Sequence, residues 1–135
     1  MNRIFSLLFL FVSSAASAIG GDAIGVCELT GSPQVFDGKS VRVEGYIVLV
    51  RHGLFLVESR SRLCVAKINI PLQVEARDSK VRPFLKAVYS RPFKESWRNV
   101  KVLAVGNFDR REGEFPQNVI SVDSILQFEV LVAPD

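Results

Sequence analysis

The chain has 135 residues, with 17 Lys and Arg against 14 Asp and Glu and a formal charge of +3. That length suits one domain, and so small a positive excess does not by itself specify a polyanion partner. One histidine and two cysteines leave too few ligands for a tetrahedral zinc site and little to activate a catalytic thiol.

The N-terminus carries a single positive charge at Arg3, an apolar run over residues 4–12, and small residues over 13–18 that end in Ala16-Ser17-Ala18. This is the layout of a secretory signal peptide. The apolar run falls short of the roughly 20 residues needed to span a bilayer. The sequence therefore reads as a signal peptide over 1–18 and a single domain over 19–135, periplasmic or secreted. Loss of Arg3 lowers the charge to +2. In an exported chain, the even pair Cys27 and Cys64 favours a disulfide over two separate buried thiols.

After a loose lead-in, residues 26–29 predict one helical turn, halted by Gly31 and Pro33. Residues 33–36 predict a second, ending at the turn Asp37-Gly38. A strand follows over residues 41–50. It sets Val41, Val43, Ile47 and Leu49 on one face and Arg42, Glu44, Tyr46, Val48 and Val50 on the other. Gly45 in its middle marks a bulge or bend. Arg51-His52-Gly53 turns the chain back into a second strand over 54–57. After a charged loop, a third strand over 63–70 places Cys64, Ala66, Ile68 and Ile70 on one face, and Pro71 ends it.

One helix comes next. Pro83 suits its first turn, Phe84, Leu85, Val88 and Tyr89 form its apolar stripe, and Pro92 stops it. A fourth strand over 99–108 points Val100, Val102, Ala104 and Phe108 one way. A polar loop over 109–118 leads to a fifth strand within 119–132, with Leu126, Phe128, Val130 and Val132 on a shared face.

Three strands, a helix and two strands, with a glycine bend in the first strand, resemble the OB-fold. That is a five-stranded Greek-key barrel with a helix between strands three and four. The carriers are Gly38-Lys39-Ser40-Val41-Arg42-Val43-Glu44-Gly45-Tyr46-Ile47 and residues 100–108. The chain also looks like small exported bacterial OB-like proteins of uncharacterised function. In these a Leu-x-x-x-Pro lead-in (here Leu29 and Pro33) runs into a G-K-x-V-x-V-x-G strand, with a cysteine (here Cys64) after the hairpin. The resemblance implies a fold and a compartment, and no reaction.

Two surfaces carry candidate chemistry. Residues 77–101 hold Arg77, Lys80, Arg82, Lys86, Arg91, Lys94, Arg98 and Lys101 against Asp78 and Glu95, interleaved with Phe84, Tyr89, Phe93 and Trp97. Cations that track phosphates and rings that stack on bases bind single-stranded nucleic acid, and the same chemistry serves acidic glycans or anionic lipid. Equally, these aromatics fill the core and the cations form its solvated side. The second surface is the outer face of the first hairpin, with Tyr46, Val48 and Val50 near Arg51, Phe55, Arg60, Arg62 and Lys67. OB-folds hold ligands across strands two and three. Alternatively the lead-in covers that apolar strip.

The residues assigned to binding are Arg60, Arg62, Lys67, Lys94, Trp97 and Arg98. No catalytic residue, metal or cofactor is assigned. His52 reads as a solvated turn residue. Asp109, Glu112, Glu114 and Asp123 offer oxygens to calcium, but Arg110 and Arg111 interrupt them without EF-hand spacing. A secreted nuclease of OB type departs at Asp37-Gly38-Lys39, where its pattern needs D-G-D. The sequence thus points to a non-enzymatic binding domain for an anionic polymer or an envelope component. A structural or protein-interaction module of the envelope is the alternative.

Overall fold

Alternating apolar residues on either side of Gly45 build the longest early strand, and the other elements arrange themselves about it. The computed structural model describes residues 22–51, 53–58, 64–90, 100–114 and 117–131. The segment read as a signal peptide, His52, and Arg60, Arg62, Lys94, Trp97 and Arg98 lie outside the described residues. In chain order the elements are β1 (Ile24–Gly25), α1 (Val26–Gly31), α2 (Pro33–Phe36), β2 (Ser40–Val50), β3 (Gly53–Val57), β4 (Val65–Asn69), α3 (Leu72–Arg77), α4 (Val81–Tyr89), β5 (Val100–Arg110) and β6 (Asn118–Val130).

The fold is mainly β, as expected, with two departures. A sixth, two-residue strand, β1, lies parallel on the edge of β2. Among the described residues two helices, not one, lie between β4 and β5. The extra helix, α3, is six residues long and buries only Val74, while Leu72 is 81% exposed. A helix that short shows no apolar period in the sequence.

β2 pairs antiparallel with β3 and with β5, β3 pairs antiparallel with β4, and β5 pairs antiparallel with β6. β4 then meets β6 in parallel, over Lys67↔Val119, Ile68↔Ile120 and Asn69↔Ser121. These pairings link β2, β3, β4, β6 and β5 into a closed ring of five strands. The core gathers Val43 and Ile47 of β2, Leu56 of β3, Phe108 of β5 and Ile120 of β6, together with Val26 and Leu29 of α1 and Phe84 and Val88 of α4. A Cβ on Gly45 would lie 2.7 Å from the Val57 carbonyl oxygen and 2.9 Å from Leu56 Cγ, so only glycine lets β3 come this close.

The register of β5 on β6 slips twice. Leu103↔Gln127 is followed by Ala104↔Ile125, and Val105↔Ser124 by Gly106↔Val122. Leu126 and Asp123 are therefore the extra residues of two β-bulges, each of which breaks the alternation. This corrects the face expected for the last strand. Ile125, not Leu126, is the buried residue here, at 2% exposed, and Val130 is 39% exposed.

The connection between α3 and α4 occupies the groups that the bulges set free. Arg77 Nη2 donates to the Asp123 carbonyl at 3.2 Å, and Lys80 Nζ donates to the Leu126 carbonyl at 2.7 Å. The Ile125 and Lys80 amides both donate to the Asp78 carboxylate, each at 2.9 Å.

The lead-in forms the two helical turns that the sequence predicts. Cys27 of α1 is bonded to Cys64, just before β4, with a Cα–Cα distance of 5.0 Å. At the other end of the lead-in Gly38 adopts φ +73°. Its amide donates to the Phe108 carbonyl at 2.8 Å, and the Asp37 carboxylate accepts from the Arg110 amide at 2.9 Å. Among the described residues no helix is long and apolar enough to cross a membrane.

Two stability measurements follow. Asp78→Ala leaves the Ile125 amide without its acceptor and lowers the free energy of unfolding in urea by about 2 kcal/mol. Replacing Cys27 and Cys64 together with serine releases the loop between them and costs about 4 kcal/mol on the chain-entropy model.

Candidate functional site

Of the six residues assigned to binding, Lys67 is the one the described residues include. It sits half-buried on β4, directly across from Phe55 on β3 and from Val119 on β6. Phe55 in turn faces Val48 on β2. Val48, Phe55, Lys67 and Val119 therefore make one cross-strand row. The row lies on the outer face, because period-two alternation sends Ile47, Leu54, Leu56, Ala66 and Ile68 into the core. The Lys67 side chain runs beside the hairpin turn, with Cε 3.6 Å from the place a Cβ on Gly53 would occupy. Arg51 is exposed at the same turn. Among the described residues neither cation has a carboxylate partner.

Val48, expected to be outward, is only 5% exposed. The lead-in is not its cover: α1 seats Val26 and Leu29 in the core beside Val43 and Ile47.

The basic, aromatic segment divides. Arg77 and Lys80 are tied to carbonyls of β6, and Lys101 is paired with Glu44. Phe84 is fully buried, edge-on to Phe128 with ring centroids 5.7 Å apart. Arg77, Lys80 and Phe84 serve the fold. Arg82 and Lys86 are exposed, as is Tyr89 at 57%, which departs from the apolar stripe expected of this helix. Arg91, Phe93, Lys94, Trp97 and Arg98 lie outside the described residues.

The structure also assembles a constellation that the sequence did not suggest. Lys101 Nζ lies 2.7 Å from Glu44 Oε1 and 5.9 Å from the centroid of the Tyr46 ring. The pairing of β2 with β5 sets Tyr46 opposite Lys101, and that of β5 with β6 sets Lys101 opposite Glu129. The side chains of the pair are 38% and 41% exposed. A depression of about 320 Å³ opens on one side, lined by Ala23, Gly25, Glu44, Gly45, Tyr46, Glu58 and Lys101. A smaller one of about 100 Å³ opens on the other, where Glu44 and Lys101 meet Leu103, Gln127 and Glu129. The hydrogen bond and charge of Glu44 hold the Lys101 ammonium above its ordinary value, with smaller contributions from Tyr46 and Glu129.

Three of the four carboxylates weighed for calcium face arginines. Arg111 Nε lies 3.1 Å from Asp109, Arg111 Nη1 3.8 Å from Glu114, and Arg110 Nε 4.0 Å from Glu112. Among the described residues no group of three or more His, Cys, Asp or Glu side chains is placed to hold a metal ion. At two places the described surface sets a cation near an aromatic residue, Lys67 across from Phe55 and Lys101 near the Tyr46 ring. No protein-family model matches the chain, and no curated protein matches it.

Because Glu44 raises Lys101, the contribution of the pair is complete at neutral pH. On the alkaline side it is lost as the pH climbs through the raised value, above the ordinary 10.5. Titration of the Lys101 Cε resonance should show a midpoint above that of a free lysine, and Glu44→Gln should return it towards the ordinary value. A midpoint that does not move in that variant would show that the pair does not form in solution.

Proposed function

We propose that the protein is an exported binding domain of OB-like fold that acts without catalysis, and that its ligand is an anionic polymer. One observation carries this reading: Lys67 stands half-buried, without a carboxylate partner among the described residues, directly across from Phe55 on the outer face of the sheet. An ammonium that no neighbouring carboxylate neutralises attracts an anion, and the ring beside it offers a stacking surface.

The strand order supports the placement. A ring in the order β2, β3, β4, β6, β5, with helices between its third and fourth strands in chain order, fits the OB-like barrel. Its second and third strands, here β3 and β4, are the ones on which such folds hold ligands. Arg60 and Arg62, between these two strands, and Lys94, Trp97 and Arg98, between α4 and β5, complete the set that this reading assigns to the ligand. The disulfide and the signal-like N-terminus support export. A second reading, an interface with an envelope protein, draws on Val65, which is 37% exposed near the same row.

Binding of heparin and of single-stranded DNA, followed by Trp97 fluorescence across a salt series, tests the proposal. Affinity for at least one should fall steeply with salt as counterions are released. Lys67→Ala should weaken binding and flatten the salt slope by about one unit. If neither polymer binds, or if binding is indifferent to salt and to Lys67→Ala, the anionic-polymer reading is wrong. The protein interface would then be tested with Phe55→Glu.

A further inference from the structure

We infer that the depression beside Glu44, Tyr46 and Lys101 is a second binding site, one that accepts a primary alkylammonium group such as a lysine side chain of a peptide. It is independent of the anionic site and of opposite chemical preference. The protein itself displays the chemistry of the site. A lysine ammonium already sits there, 2.7 Å from the Glu44 carboxylate and 5.9 Å from the Tyr46 ring. Carboxylate and aromatic face together are what recognises an organic cation.

Room for a second cation lies next to the first. The depression measures about 320 Å³. Glycine leaves room at its wall, since a Cβ on Gly25 would collide with Glu58 Oε1.

Entry of a ligand need not leave Lys101 unpaired. Lys101 and Glu129 are direct cross-strand partners, and Glu129 lines the smaller depression on the far side of the ion pair. The Lys101 side chain, 38% exposed, is free to swing from Glu44 to Glu129 and give up its place over Tyr46. The site thus works by exchange: an external ammonium takes Glu44 and the ring, and the internal one moves across the strand.

Exchange makes a prediction that a merely structural ion pair does not. The full chain, with Cys27 and Cys64 oxidised, is titrated with n-butylammonium and with N-acetyl-trilysine amide at low salt. Amide resonances are followed by two-dimensional NMR. Saturable shifts are expected at Glu44, Tyr46, Lys101 and Glu129. Glu44→Gln should weaken binding by roughly tenfold and Tyr46→Leu by about threefold. Lys101→Met, which removes the internal competitor, should tighten it by about threefold or more. Stronger binding of the peptide than of the simple amine would identify a lysine side chain as the source of the ammonium.

Variants are compared only where their spectra show the native fold. The inference is overturned if no saturable shift appears at these residues, if shifts scatter over the whole surface, or if Lys101→Met binds no better than the parent. Heparin binding should be unaffected by Glu44→Gln, so failure here and failure at Lys67 are separate results.

Discussion

The ring closes across a seam that has too few strand pairs to hold it. β4 and β6 run parallel over three residue pairs and then part at Ser121. Beyond that point β6 bulges at Asp123 and Leu126, and its freed carbonyls and amide need partners inside the molecule. The turn between α3 and α4 supplies them. Arg77 and Lys80 donate to the two carbonyls, and Asp78 accepts from the Ile125 amide between them. Three side chains close together in sequence stand in for the missing strand. The same connection delivers Val81, Phe84 and Val88 to the core, so apolar packing and polar satisfaction at the seam are held by one piece of chain.

That arrangement separates the cations by role. Those of the helical segment nearest β6 are held by backbone carbonyls, and Lys101 is held by Glu44. Lys67 and Arg51, on the opposite side of the hairpin, have no such engagement among the described residues. A net charge computed from the sequence cannot make this distinction, because it counts an occupied lysine and an idle one alike. The surface that remains is patterned: an unpaired lysine beside Phe55, and an acid-lined depression beside Tyr46, two positions along β2 from Val48.

The sequence displayed β2, β4 and β5 because each alternates on its buried face: Val41, Val43 and Ile47 in β2, Ala66 and Ile68 in β4, Val100, Val102 and Ala104 in β5. It displayed the lead-in through Gly31, Pro33 and the Asp37-Gly38 turn, whose chain-breaking chemistry is local. The Cys27–Cys64 bond followed from the compartment argument. What it concealed was non-local. The bulges in β6 come from its pairing with β5, which no residue in β6 announces, so Leu126 looked like a core residue and Ile125 did not. The Glu44–Lys101 pair depends on the register between β2 and β5, which strand periodicity leaves open. α3 has a single buried side chain, too little to produce a pattern.

The disulfide has a consequence for the order in which the molecule opens. Cys27 and Cys64 enclose β2 and β3 within one covalent loop, while the β4–β6 seam and both helices beside it lie outside. Thermal fluctuation therefore finds its easiest route at the seam. There β6 departs from β4 by breaking three pairs and the contacts of one turn, and the looped hairpin keeps its strands close together. Opening is graded across the fold. Amide hydrogens near Ile125 should therefore exchange with solvent by partial opening, and those of the β2–β3 hairpin only when the whole structure comes apart.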